Sequence, residues 1–265
     1  NNWFDSKYYH ILYKNRNHQE AREFIKKLLK HLKLKKKSKV LDAGCGKGRH
    51  SIEIEKLGHI VTGIDLSKNS IKSAKKHENI NLKFLVHDIL EPLNIEFDAV
   101  LNLFTSFGYY ERNKDLEILL SLQKNLNKNG IGVIDFFNIK TVKDNLVKKE
   151  EVILENIKFN IKRKIDKLSV TKEILFSDNN KEYKFKESVN TLSIIDFKNY
   201  FKKTNLEIIE FFGDYDLNKF EEKKSPRLII IFKKKSQSNW WPGFEEGGDI
   251  LSHQMAVPSA LLGLT

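Results

Sequence analysis

Lys39-Val40-Leu41-Asp42-Ala43-Gly44-Cys45-Gly46-Lys47-Gly48-Arg49-His50 reads as a buried strand that ends in a glycine-rich turn and feeds a helix. Such a turn lets the backbone come close to a ligand, and the helix N-terminus behind it favours negative charge and hydrogen-bond acceptors. Asp42 narrows the reading. It stands two residues before the first glycine, where a carboxylate has little to offer a pyrophosphate but suits a ligand that carries positive charge.

Three glycine-loop patterns compete for this stretch. A phosphate-cradling loop needs G-x-x-x-x-G-K-[ST]. Here Gly46-Lys47 is followed by Gly48, and the required upstream glycine is Leu41, so that pattern is excluded. The dinucleotide fingerprint G-x-G-x-x-G needs a third glycine where Arg49 stands, and the match is partial. The third pattern, D-x-G-x-G-x-G, is met in full by Asp42, Gly44, Gly46 and Gly48. On these residues the chain resembles the class I S-adenosylmethionine-dependent methyltransferases, which implies a soluble enzyme with S-adenosylmethionine as cofactor and no metal.

The flanking sequence keeps the rhythm of an α/β fold. Residues 18–33 carry Ala21, Phe24, Ile25, Leu28, Leu29 and Leu32 at helical spacing, before a first strand over residues 39–42. A helix over 48–57 follows, then an apolar strand ending in Asp65, with Ser67 as the N-cap of a helix to about residue 77. A third strand covers 82–86 with Asp88 just beyond it, and a fourth covers 97–103. Leucines set a helix over 112–127, and Asn129-Gly130 turns into a fifth strand over 131–136. Alternating strands and helices predict a doubly wound, Rossmann-like parallel sheet.

Residues 145–190 break the rhythm. Ile157, Phe159, Ile161, Arg163 and Ile165 recur at period two, and Asp178-Asn179-Asn180 separates two further strand-like runs. This predicts an inserted antiparallel β layer after the fifth strand. An insertion there sits above the carboxyl ends of the sheet, where ligands bind, so it is expected to cover a substrate as a lid. A helix near 193–203 and strands over 205–212 and 227–232 complete a domain expected to span 1–235.

Asp65 falls at the end of the second strand, where a carboxylate accepts from both ribose hydroxyls, a role common to nicotinamide and S-adenosyl cofactors. The methyltransferase resemblance adds the rest. It implies that Asp42, Ala43, Gly44, Cys45 and Gly46 meet the methionine end, Asp65 and Leu66 the ribose, and Asp88 with Ile89 the adenine. It implies further that Asn102 and Leu103 lie beneath the methionine part, and that Phe104, Ser106, Phe107 and Tyr109 face the acceptor, with one of the two phenylalanines in the core. Trp3-Phe4-Asp5, with Tyr8, Tyr9 and Tyr13, is similar to the segment that covers the cofactor in a bacterial subgroup, and Arg16 is expected at the methionine carboxylate. Cys45 is expected chiefly as a small loop residue, with its thiol pKa lowered by the helix start.

Composition sets outer bounds. The 265 residues carry a net charge of +12, yet 41 of the 47 basic residues are lysine. Phosphate recognition favours the arginine fork, so this excess argues against a dedicated nucleic-acid surface. A single cysteine excludes an internal disulfide, and no apolar run is long enough for a bilayer, so a cytoplasmic location is expected. Residues 236–265 hold no lysine and carry −3, an atypical C-terminal tail.

The expected reaction is in-line methyl transfer to a small-molecule acceptor. Covalent pyrimidine methylation needs a cysteine nucleophile, and the sole cysteine belongs to the loop. Methylation of base amino groups commonly uses an Asn/Asp-Pro-Pro-aromatic motif, where this chain has Asn102-Leu103-Phe104-Thr105. RNA or protein acceptors and a nicotinamide oxidoreductase stand as alternatives. Among possible bases, His10, His87 and Tyr109 offer no decisive pattern.

Overall fold

The structure, a computed structural model, describes residues 3–14 and 18–235. Arg16 and the tail 236–265 lie outside the described residues. The central sheet contains β1 (Lys39–Ala43), β2 (Ile60–Asp65), β3 (Leu82–Val86), β4 (Phe97–Asn102), β5 (Leu126–Phe137), β10 (Leu206–Phe212) and β11 (Arg227–Lys234). Its order is β10-β11-β5-β4-β1-β2-β3. The five strands from β3 to β5 run parallel, and β11 and β10 close the sheet antiparallel. The order reverses between β1 and β4, so their carboxyl ends open a crevice at the switch point.

Helices α2 (His18–Leu32), α3 (Arg49–Lys56), α4 (Lys68–Ala74), α5 (Asp115–Asn125) and α7 (Ile194–Lys202) cover the sheet. One face buries Leu41, Ile64, Val100, Ile134 and Phe136 with α5 and α7; the other buries Val40, Val61, Ala99 and Val133 with α2 and α3. Burial on both faces explains why these strands read as continuous apolar runs. Ser67 caps α4 by accepting from the Ser70 amide, and Ser193 and Asp196 form a reciprocal capping box on α7.

Two boundaries differ from the expectation. The helix expected over 112–127 begins with a single 3-10 turn at Arg112–Lys114 and ends at Asn125. β5 already starts at Leu126, which pairs with Phe97; the ladder then breaks and resumes at Ala99 and Ile131. Asn129-Gly130 thus sits in an irregularity inside the strand. The expected turn persists there: residues 127–130 have no pairing partner on β4, and the Asn127 side chain accepts from the Asn129 amide at 3.0 Å.

The insertion is a separate sheet of β6 (Lys149–Leu154), β7 (Ile157–Ile165), β8 (Ser169–Asp178) and β9 (Lys181–Asn190), all antiparallel. It starts at Lys149 rather than at residue 145, where Asn145 serves as the C-cap of α6 (Ile139–Asp144). Asn179 and Asn180 both have positive φ, which matches a tight hairpin between β8 and β9. Phe159, Ile161, Ile174, Phe176 and Phe185 form the buried face. That face packs against Trp3 and against Tyr8 of α1 (Lys7–Leu12), so the amino-terminal segment and the inserted sheet share one aromatic core.

Gly132 of β5 lies opposite Phe232 of β11. A Cβ there would come within 2.1 Å of the Phe232 ring. Gly132→Ala is therefore expected to lower unfolding stability by about 1–3 kcal/mol through overpacking, read from denaturant melts; an unchanged midpoint would contradict this packing.

Candidate active site

The glycine turn is stitched to the end of β2. The amides of Gly44 and Cys45 donate to the Ile64 carbonyl at 2.8 and 2.9 Å. The Gly46 amide donates to one oxygen of the Asp65 carboxylate at 2.9 Å, and the Ser67 amide to the other at 2.8 Å. Gly44, Gly46 and Gly48 all have positive φ, between 56° and 82°. At Gly44 a side chain would collide with Ser106, whereas at Gly46 nothing stands within 4 Å. One glycine permits loop-on-loop contact; the other leaves backbone open to the crevice.

That crevice is a cavity of about 820 Å³. Gly44, Cys45, Gly46, Asp65, Leu66, Ile89 and Leu103 line one part of it, and Phe104, Ser106 and Tyr109 another. Phe4, Tyr9 and Tyr13 of the amino-terminal segment also line it. The segment is fixed to the start of α4 because Asp5 accepts from the Ser67 hydroxyl and the Asn69 amide, each at 2.8 Å. On its far side, Trp3 and Tyr13 donate to Glu187 of β9.

Several expected site residues lie behind the wall. Asp42 is buried and accepts from the Ser51 hydroxyl of α3 at 2.5 Å. Burial, opposed by this hydrogen bond, pushes its carboxyl up to about 6. Ala43 is buried and its carbonyl accepts from Asn102 Nδ2 at 2.7 Å, while Asn102 Oδ1 has no hydrogen-bond partner among the described residues. Asp88 accepts from the Leu90 amide at 2.9 Å and from the Tyr110 hydroxyl at 2.6 Å. Tyr110 lines the cavity and connects it to Asp88, a link absent from the sequence reading. The pair Tyr109-Tyr110 carries no local signal for which ring serves which wall. Asp65 itself is raised in pKa by burial and, to a lesser degree, by the nearby Asp5 charge, against the two backbone bonds.

One expectation is corrected and another is made specific. Cys45 lies in the turn, ahead of Gly48 at the N-cap of α3. Its thiol is pushed up by burial and by the Asp42 and Asp65 charges, which outweigh any help from the helix start. Phe107 is fully buried against Phe197 and belongs to the core, while Phe104 lines the cavity.

The donor set fits an adenosyl cofactor with a charged amino-acid end. Asp65 offers a fixed carboxylate on the cavity wall, Gly46 offers open backbone, and Asn102 keeps a buried acceptor unsatisfied. Comparison with known proteins agrees. The sequence profile of the methyltransferase-domain family matches residues 34–194. The chain belongs to that family. A probable S-adenosylmethionine-dependent methyltransferase, TehB of Haemophilus influenzae, is 34% identical over 101 residues, covering 36% of this chain and 35% of TehB. The chain thus matches only about a third of that relative's length. A solved S-adenosylmethionine-dependent methyltransferase from Clostridium acetobutylicum superposes with a TM-score of 0.74 at 17% identity, covering 86% of this chain and 96% of the other. S-adenosylmethionine-bound CalS10, an amino pentose methyltransferase from Micromonospora echinaspora, gives 0.63 at 15% identity, covering 87% and 98%. At these identities the likeness to the two structures is one of fold.

The Asp42 environment yields a pH test. An acid whose folded pKa exceeds its unfolded value destabilises the fold when ionised. The shift runs from 3.8 to about 6, so the penalty is absent below the lower value and complete above the upper. Asp42→Asn removes it. The variant should exceed the parent in stability near pH 7.5 by up to about 3 kcal/mol, converging with it near pH 4. Urea melts at both pH values decide; an equal gap at both would refute the buried, ionisable placement.

Proposed function

We propose that this chain transfers a methyl group from S-adenosylmethionine to a small-molecule acceptor. The observation that carries the reading is the Asp65 carboxylate, held by two backbone amides on the wall of a cavity that Phe4, Tyr9, Tyr13, Phe104, Tyr109 and Tyr110 also line. In this reading Asp65 and Leu66 hold the ribose, and Asp88 and Ile89 the adenine. Ala43, Gly44, Cys45 and Gly46 pass along the methionine part, with Asn102 and Leu103 beneath it. Asp42 acts from behind, holding α3 to the glycine turn through Ser51. Arg16, outside the described residues, keeps its role at the methionine carboxylate as part of the proposal.

When bound, the cofactor supplies a methyl group already activated by a sulfonium leaving group. The protein's work is then alignment and exclusion of water, and alignment of two reactants contributes roughly 7–11 kcal/mol. Phe104, Ser106 and Tyr109 stand where an acceptor would approach. Phe4 packs edge-on to Tyr109 at 5.1 Å between ring centroids and covers the same space from the amino-terminal side. The inserted sheet serves as the lid through its shared core with that segment. The amino pentose acceptor of CalS10 supports a small molecule for a cavity of this size.

Titration calorimetry with S-adenosylhomocysteine should show binding by the intact protein. Asp65→Ala should weaken it by about 10-fold or more, as expected for a lost hydrogen-bonded charge. Absence of binding by the parent removes the proposal. Label from methyl-tritiated S-adenosylmethionine should enter a metabolite fraction; label in purified RNA or protein instead would replace the small-molecule acceptor with a macromolecular one.

A further inference from the structure

We propose that Asp135, Arg227 and Tyr215 form a buried clamp that fixes the acceptor wall, with Arg227 as its positioning residue. The role assigned to that wall rests on the methyltransferase reading above. The clamp itself rests on geometry.

The loop after β4 carries two consecutive residues in the left-handed region, Phe104 at φ 57° and Thr105 at φ 58°. Neither is glycine, and Thr105 is β-branched. Such conformations are strained for residues other than glycine and persist only where surroundings impose them. Here the imposing residue is Asp135 of β5. Its carboxylate accepts from the Phe104 amide at 2.8 Å, and its main-chain carbonyl accepts from the Thr105 amide at 2.9 Å. One residue thus holds both strained amides.

Asp135 is held in turn. Arg227, the first residue of β11, donates to Asp135 Oδ1 through Nε at 2.8 Å, and a terminal nitrogen stands 2.7 Å from the same oxygen as an ion pair. The same terminal nitrogen reaches the Thr105 hydroxyl at 2.9 Å. Tyr215 donates to Asp135 Oδ2 at 3.1 Å. The Phe104 ring lies 4.9 Å from the Arg49 guanidinium and 5.9 Å from that of Arg227.

A buried ion pair is a poor device for stability alone, since apolar packing of the same volume serves as well or better. Its retention here, directly under two strained residues on a ligand cavity, is explained by what it positions. Arg227 and Tyr215 both lie beyond residue 194, outside the span matched by the family profile. The glycine turn and Asp65 therefore define the cofactor side, while this clamp sets where Phe104 and Thr105 stand on the acceptor side.

The test needs no acceptor. A para-fluorophenylalanine placed at position 104 reports the ring by fluorine NMR, and calorimetry with S-adenosylhomocysteine reports the cofactor side. The parent should give a single sharp line. Thr105→Val, which removes only the hydroxyl contact, and Arg227→Lys, which keeps the charge but not the fork, should both split or broaden that line. Thr105→Ser should restore it. S-adenosylhomocysteine affinity should stay within about threefold in all three. An unchanged line in Thr105→Val and Arg227→Lys overturns the proposal, because a merely stabilising pair would lower the melting midpoint without moving the ring. A loss of S-adenosylhomocysteine affinity of about 10-fold or more also overturns it, by moving the clamp's effect to the cofactor side. If the parent itself does not bind S-adenosylhomocysteine, the methyltransferase reading fails, while the fluorine line still decides whether the clamp holds the wall.

Discussion

The two backbone hydrogen bonds accepted by Asp65 are the constraint on which the site depends. A glycine turn is free to take many shapes, and this one is selected by its bonds to the end of β2. Ile64 takes two amides with its carbonyl and Asp65 takes a third with its carboxylate. The remaining carboxylate oxygen accepts from Ser67 and so fixes the start of α4. Ser67 then shares Asp5 with Asn69, and through Asp5 the amino-terminal segment is drawn across the crevice. Floor, helix start and roof are linked by one short chain of polar contacts, and partial burial strengthens those at Asp65 and between Ser67 and Asp5.

Positive charge is spread over a chain rich in lysine, and its local effect is modest. Many of these lysines pair with surface acids, as Lys14 does with Glu155 and Lys158 with Glu151. Exposed pairs of this type contribute little to stability, typically about 0–1 kcal/mol. The consequential charges are the buried Asp42 and Asp135 and the half-buried Arg227, each bonded to a loop or helix that shapes the crevice.

The parallel core was legible because its inner strands are buried on both faces and β1, β2 and β3 carry an acid at or just past their ends. Asp42, Asp65 and Asp88 could be placed at three strand ends from spacing alone. The inserted sheet was legible from the alternation of Ile157, Phe159 and Ile161 with lysine and asparagine. Periodicity carries no strand direction, so the antiparallel return of β10 and β11 was not legible. Nor were partners distant in sequence. Asp88 meets Tyr110 from another loop, and Asp135 meets Arg227 across 92 residues. Asp135 did leave a trace, a carboxylate inside the apolar run Ile131–Phe136. Cys45 misled because proximity to a helix start was weighed without burial, which dominates at that thiol.

The shared aromatic core of Trp3, Tyr8, Phe176 and Phe185 has a consequence for how such a protein can diversify. The amino-terminal segment that lines the crevice packs chiefly on a sheet spliced between β5 and α7. The cofactor floor is encoded elsewhere, in the turn after β1 and the ends of its neighbours. Under the proposed methyltransferase reading, a change in that aromatic module alters what the crevice admits and leaves the turn after β1 untouched, so selectivity and chemistry sit on separable parts of the chain.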